Sequence, residues 1–316
     1  MSIHLQRPLQ ATLASSTSDS IESRIGAAPL QLDPYPHLIL PDVLPAFTLA
    51  DVRSYWPDES AFSSYGDGHG RTPGDPGRFG LYISGSTAAE RCQVLDEDSR
   101  DYWRSFVAGP VKNIVTQAYR RYLPALRARF GGNLPRLELE TYGALVICYD
   151  RVAINVHADH PANLFNCLIY LNNGMAEDGS GTTVYAPKAQ GFTHDGLSHL
   201  AREDFDAVET IPFRDNQLFS LLRTGNSFHG VDPLPVATPT QRITMNIPTR
   251  ITDRCLAELY GEDVVTLFQR KISGHCPWLM PGLNAWRDVD WDDTTPASEE
   301  EMQPILNSFR YGEERL

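Results

Sequence analysis

Apolar positions recur at helical spacing through the first half of the chain and at strand spacing through most of the second. A short apolar strand at 37–40 is followed by Leu49, Val52 and Tyr55, which predict a helix over about Thr48 to Trp56. Between Ser99 and Phe130 the residues Tyr102, Phe106, Val111, Ile114, Val115, Ala118 and Tyr122 keep the helical period, with Pro110 and Pro124 expected as breaks or first-turn prolines. From Leu137 the period shortens to two. Short β-branched or aromatic segments at 137–142, 144–149, 153–159, 166–171, 182–185, 208–213, 217–222 and 242–247 are separated by Gly, Asn, Asp or Pro and predict strands. Asp253 to Ile272 returns to a helical pattern, with Leu256, Leu259, Tyr260, Val264, Leu267 and Phe268 on one broad face. This order predicts an α+β fold: a jelly-roll core supported by N-terminal and C-terminal helices.

Two stretches fall outside the periodicity. Residues 1–30 are small and polar, a composition that buries little, and are expected to form a mobile tail with order beginning near Tyr35. Residues 64–80 hold six glycines and two prolines, too many for helix or strand, and predict a loop of the kind that forms lids. Residues 31–316 are then expected as one domain: 31–136 mostly helical support and lid loop, 137–250 the jelly roll, and 251–316 a C-terminal helical segment. Trp278, Trp286 and Trp291 are expected to pack that last segment onto the body.

Composition narrows the function classes. An apolar fraction of 41% suffices for a large core, and 27 Lys and Arg against 40 Asp and Glu give a net charge of −13. That charge repels phosphate backbones and anionic lipid, so neither nucleic acid nor a membrane is expected as a partner. Five cysteines without CxxC spacing read as buried thiols in a reducing compartment. No run reaches the roughly 18 apolar residues of a membrane span, and the N-terminal stretch lacks the order of a signal peptide. A cytoplasmic protein is the expectation, with the apolar face of the C-terminal helix offering a homodimer contact.

The candidate chemistry centres on His157 and Asp159. Residues two apart on a strand share a face, so both can reach one point while Ala158 turns away. His229, after the 217–222 strand and a Thr-Gly-Asn-Ser turn, can supply a third ligand from a neighbouring strand. Two imidazoles and one carboxylate suit ferrous iron, holding one face of an octahedron and leaving three positions open. Arg242 begins the last core strand, where a buried guanidinium needs an anion, and a dicarboxylate would supply one in a two-pronged contact. Thr244 points to the same face and can add a hydroxyl donor.

These motifs, taken in order, resemble the Fe(II)- and 2-oxoglutarate-dependent dioxygenases, on their prolyl hydroxylase-like side. The resemblance runs over residues 141–250 through Cys-Tyr (148–149), His157-Ala-Asp159, Leu-Ile-Tyr-Leu-Asn (168–172), Gly-Thr-Thr-Val-Tyr (181–185), His229-Gly-Val and Arg242-Ile-Thr. It implies a double-stranded β-helix of the cupin-like kind, with His157, Asp159 and His229 binding Fe(II) and Arg242 binding the distal carboxylate of 2-oxoglutarate. Tyr170 would support that carboxylate, and Tyr149 would lie near the co-substrate's other end. The interval from His229 to Arg242 is longer than in those relatives, and the proline-rich 232–239 segment is expected to form the extra loop. Relatives that halogenate carry Gly or Ala where Asp159 stands, so the resemblance implies hydroxylation, with O2 consumed and succinate and carbon dioxide released.

Other residues leave alternatives open. His160 faces away from the pair on a strand, and His194 and His199 lie in a polar segment and read as solvated. Asn155 and Asn246 can contact co-substrate or substrate, or satisfy backbone groups. Arg71, Arg78 and Arg223 can clamp a substrate carboxylate or simply face solvent. The favoured substrate is a small molecule, an amino acid or its derivative, with a peptidyl proline or a sugar acid second. Desaturation or cyclisation, an iron oxidase independent of 2-oxoglutarate, and a cupin-like binding protein without turnover stand as alternatives.

Overall fold

The computed structural model describes residues 21–64, 77–85, 92–148, 153–171, 181–232, 242–276, 279–293 and 295–309. Among the described residues, thirteen strands form two antiparallel sheets. In chain order they are β1 (Leu30–Gln31), β2 (His37–Leu40), β3 (Ser63–Ser64), β4 (Arg78–Ser84), β5 (Leu139–Thr141), β6 (Gly143–Cys148), β7 (Ile154–His157), β8 (Asn163–Tyr170), β9 (Thr182–Pro187), β10 (Phe205–Thr210), β11 (Gln217–Leu222), β12 (His229–Val231) and β13 (Arg242–Ile251). The larger sheet runs β1-β2-β11-β8-β13-β6-β4-β3, with β5 also paired to β13, and the smaller runs β10-β9-β12-β7.

Apolar pattern decides which sheet is covered. Every residue of β11 and β6 is buried, as expected of strands packed on both faces. The helix Lys112–Phe130 covers the larger sheet: Tyr122 lies 5.8 Å from Phe165 between ring centroids and donates to Ser220 Oγ at 3.1 Å. The helix Glu299–Asn307 closes over that helix. Its N-terminus carries a capping box between Ser298 and Glu301, and Arg127 Nε donates to Glu301 Oε1 at 2.7 Å. In the smaller sheet β10 buries only its first residue and turns most of the others to solvent.

Several expectations are corrected. Order begins before Tyr35: residues 21–27 are helical, and Ile21 and Ile25, four apart on one helical face, are fully buried. Residues 1–20 lie outside the described residues. The 64–80 loop is shorter than expected, since Arg78, Phe79 and Gly80 already pair with β6. Neither proline ends the long helical stretch. Pro110 sits in a π-helical segment, Val107–Val111, that links Glu97–Phe106 to Lys112–Phe130, and Pro124 lies inside the latter. The C-terminal helix is split instead, into Asp253–Tyr260 and Glu262–Gln269, at Gly261, whose φ of +95° suits glycine. Leu256, Val264 and Phe268 of these two helices pack into the core of their own chain. Trp286 is buried and Trp291 packs against the same core, while Trp278 lies outside the described residues. All five cysteines are buried, and none forms a disulfide among the described residues. No helix among the described residues is long and apolar enough to cross a membrane.

Candidate metal centre

Strand register brings the two histidines together. His229, the first residue of β12, is the direct cross-strand partner of His157, the last residue of β7, and their ring centroids stand 4.3 Å apart. Paired residues on antiparallel strands project to the same side, so neither imidazole needs an unusual rotamer to meet the other. Asp159 follows two residues after β7 ends, outside the ladder. Its Oδ1 lies 3.9 Å from His157 Nε2 and 3.7 Å from His229 Nε2.

The orientation of both rings is set from behind. His157 Nδ1 stands 2.9 Å from the Asn155 carbonyl and His229 Nδ1 3.0 Å from the Ser227 carbonyl, in each case two residues back. A carbonyl can only accept, so Nδ1 carries the proton and Nε2 keeps its lone pair for a ligand. Two lone pairs and a carboxylate oxygen, all within 4.8 Å of one another, form the one such cluster among the described residues. This donor set fits a divalent first-row metal: ligands in adjacent positions with bonds of ~2.1 Å stand roughly 3 Å apart, so small side-chain movements would close the site.

The larger sheet faces this centre with its own polar row. Arg242 opens β13, is 4% exposed, and donates to the Asp232 carbonyl. Burial lowers its pKa, while Cys148 and Tyr170 nearby act in the opposite sense. Thr244, two residues on, pairs directly with Tyr170 of β8. Tyr170 is buried, and burial raises its hydroxyl to about 12. That hydroxyl donates to Thr182 Oγ1 at 2.7 Å and accepts from the Thr182 N–H at 3.2 Å, so its proton rests on β9 of the smaller sheet. Arg78 and Arg242 both pair with Cys148, from opposite sides, which sets the two arginines in one row across three strands.

Other expected site residues fall elsewhere. Arg71 and Tyr149 lie outside the described residues. Asn155 is exposed, and what it gives the site is its main-chain carbonyl. Arg223 is no substrate clamp: it is 1% exposed and donates to the carbonyls of Asp159, Thr224, His194 and Asp195. A guanidinium so enclosed and so bonded has no face left for a small molecule. His160 turns away from the centre, its ring set edge-on to Phe268 at 5.2 Å, and burial lowers its pKa to about 3.

His194 and His199 are half-buried rather than solvated. The His199 ring lies 5.0 Å from that of His157, brought there by the bridge between Leu200 and Val156. His194 meets Asp195 and Ser273, which superficially suggests a nucleophile. Yet His194 Nδ1 accepts the Gly196 N–H at 2.9 Å, so Nε2 holds the proton and cannot take one from Ser273 Oγ at 3.3 Å. Two further residues reach the centre, Asn166 and Tyr35. Asn166 Nδ2 stands 3.5 Å from Asp159 Oδ2, and buried Tyr35 donates to the carbonyl of Phe228, beside His229, at 3.2 Å. Asn166 shares strand parity with Tyr170 and was readable on that ground, whereas nothing local marks Tyr35.

No family model matches the chain, and no curated protein matches it. Among solved structures it is similar to a prolyl hydroxylase from Trichoplax adhaerens in complex with a hypoxia inducible factor oxygen degradation domain peptide, at 12% identity over 76% of this chain and 91% of that one, with a TM-score of 0.45. It is also similar to a prolyl 4-hydroxylase from Phytophthora capsici (14% identity, 82% and 79% covered, TM-score 0.43) and to HygX from Streptomyces hygroscopicus with nickel and 2-oxoglutarate bound (14%, 70% and 85%, TM-score 0.38). The chemistry of this chain therefore rests on its own residues.

Proposed function

We propose that this chain is an Fe(II)- and 2-oxoglutarate-dependent oxygenase, its two sheets forming a double-stranded β-helix, that hydroxylates an unactivated C–H bond of a small molecule. The observation that carries the reading is the convergence of His157 Nε2, His229 Nε2 and Asp159 Oδ1, with both rings oriented by carbonyls so that their lone pairs face the same space. Such a set leaves three positions open, enough for a chelating co-substrate and oxygen.

Bound together, iron, 2-oxoglutarate and O2 would supply oxidative decarboxylation coupled to insertion of one oxygen atom into the substrate, with succinate and carbon dioxide as co-products. The protein holds the reactants. Arg242 would grip the far carboxylate of 2-oxoglutarate, an anion that offsets the cost of keeping a guanidinium 4% exposed. Thr244, opposite Tyr170, would add a hydroxyl to the same carboxylate, and Tyr170 would need only to redirect its proton from Thr182. The walls of Ala144, Val146 and Cys148, packed against Tyr82 and Ile154, would exclude water from the reacting carbon. Arg78, in row with Arg242, supports a substrate bearing an acidic group, as a free or derivatised amino acid does.

Anaerobic titration tests the reading. Fe(II) with 2-oxoglutarate is expected to give the weak visible charge-transfer band of the chelate at roughly 500 nm, and Fe(II) alone is not. Iron binding without that band would favour an oxidase that draws all its electrons from substrate, and absence of iron binding would remove the enzyme reading altogether.

A further inference from the structure

Strand pairing fixes His157 and His229, but Asp159 stands beyond the end of β7, where no ladder bond reaches it. Its position must come from other contacts. At the main-chain end, Arg223 Nε donates to the Asp159 carbonyl, Nη1 to Thr224, and Nη2 to His194 at 3.3 Å and Asp195 at 2.7 Å. One planar fork thereby ties the ligand's backbone to two other segments, a task that a lysine's point charge performs poorly. Arg223 is itself held, since it follows β11 directly and its N–H donates to the Leu164 carbonyl at 2.8 Å.

Gly196 completes the fastening. Its φ is +79°, and a Cβ added there would sit 2.0 Å from the Asp159 carbonyl oxygen and 2.7 Å from Arg223 Nη2. The 194–197 segment therefore lies directly on the two groups. Asp195 in turn accepts from the N–H groups of Leu197 at 3.0 Å and Gly274 at 2.6 Å, and from Ser273 Oγ at 2.9 Å.

At the carboxylate end the two oxygens are distinguished. Oδ1 faces both imidazoles, while Oδ2 faces Asn166 Nδ2, and Asn166 is 6% exposed with its own Oδ1 buried and unpartnered. A carboxylate left to itself can turn about its last bond and chelate a metal through both oxygens, which would occupy one of the positions the chemistry needs open. A donor on Oδ2, here Asn166 Nδ2 at 3.5 Å, disfavours this.

We propose that Arg223 and Asn166 are positioning residues that hold Asp159 from opposite ends so that a single oxygen, Oδ1, is offered to the metal. The inference rests on the reading of His157, Asp159 and His229 as ligands. Neither residue touches the metal; one fixes where the carboxylate stands and the other how it is turned.

Anaerobic Co(II) titration of the full chain, followed by the cobalt d–d absorption, tests it in wild type, Asn166→Leu and Arg223→Lys. Asn166→Leu keeps volume and removes the donor, so the unliganded protein is expected to melt close to wild type. Its Co(II) affinity is expected to fall by about 10- to 100-fold, the usual effect of losing a group that orients a metal ligand. The band positions should shift as the carboxylate becomes bidentate. Arg223→Lys is expected to weaken binding in the same sense. If wild type binds Co(II), and Asn166→Leu binds it equally with an unchanged spectrum, the positioning role is overturned while the ligand reading stands. If wild type binds no Co(II), the ligand reading falls and the positioning role with it.

Discussion

The two sheets divide the molecule's tasks. The larger is buried on both faces along β6 and β11 and is backed by the helix Lys112–Phe130; the smaller has a separate small cluster of Val156, Ala158, Tyr185, Phe205 and Phe228, with one edge strand turned mostly to solvent. The smaller sheet nevertheless carries His157 and His229, and Asp159 follows directly from it. Under the proposed reading these residues would need a partly open sheet, because a metal and its co-substrate would have to enter. They would also need a rigid wall opposite, which the larger sheet would give through Arg242, Thr244 and Asn166.

That division can be broken by substitution. Asp159→Ala is expected to abolish hydroxylation and metal binding while far-UV circular dichroism stays that of wild type; turnover at the wild-type rate would show the wrong ligand set. Next in size, Phe165→Ala in the larger sheet is expected to cost ~3–5 kcal/mol in chemical denaturation, since Phe165 is fully buried beneath Tyr119 and Tyr122. Arg242→Ala should raise the 2-oxoglutarate concentration needed for half-maximal turnover by roughly 10- to 100-fold, the worth of hydrogen bonds to a charged group. Iron binding measured without co-substrate should be unaltered.

A smaller effect concerns acid. The Arg127 guanidinium holds Glu301 down to about 2, below its ordinary range, so in the unfolded chain Glu301 takes up its proton first as pH falls. The stability this ion pair contributes is therefore full above about pH 4.3 and is lost as pH drops towards 2. Melting temperatures of Glu301→Gln should show a shallower decline than wild type over that window. Smallest of all, Val208→Thr on the exposed edge strand, where Val208 is 49% exposed, is expected to stay within about 0.5 kcal/mol of wild type. A large loss there would mean that the smaller sheet bears load after all.

Periodicity made much of this architecture legible. The segments 37–40 and 217–222 were read to the residue, and the order of helices and strands gave the α+β arrangement, because alternation is a local property of a half-buried or buried strand. What escaped was long-range. Pro110 looked like a break because the missing donor is visible in sequence, whereas the π-helical turn that absorbs it is not. Arg223 looked like a clamp because a charge beside a turn suggests exposure, and only the fold reveals the carbonyls that saturate it. His199 reaches His157 through a single bridge between Leu200 and Val156 that no spacing announces. Asp159 was assigned by strand parity, yet the strand stops two residues short of it.

If the proposed metal binds, the pairing of His229 with His157 would make its affinity a gauge of registration. Side chains alternate with a period of two, so sliding β12 by one position against β7 would turn one imidazole to the opposite face and leave half a site. An ion that binds only when the rung is aligned favours that alignment by mass action, by about 2.7 kcal/mol at a concentration a hundredfold above its dissociation constant. The same ion that would serve the chemistry would then also proofread the short, three-residue strand on which His229 rides.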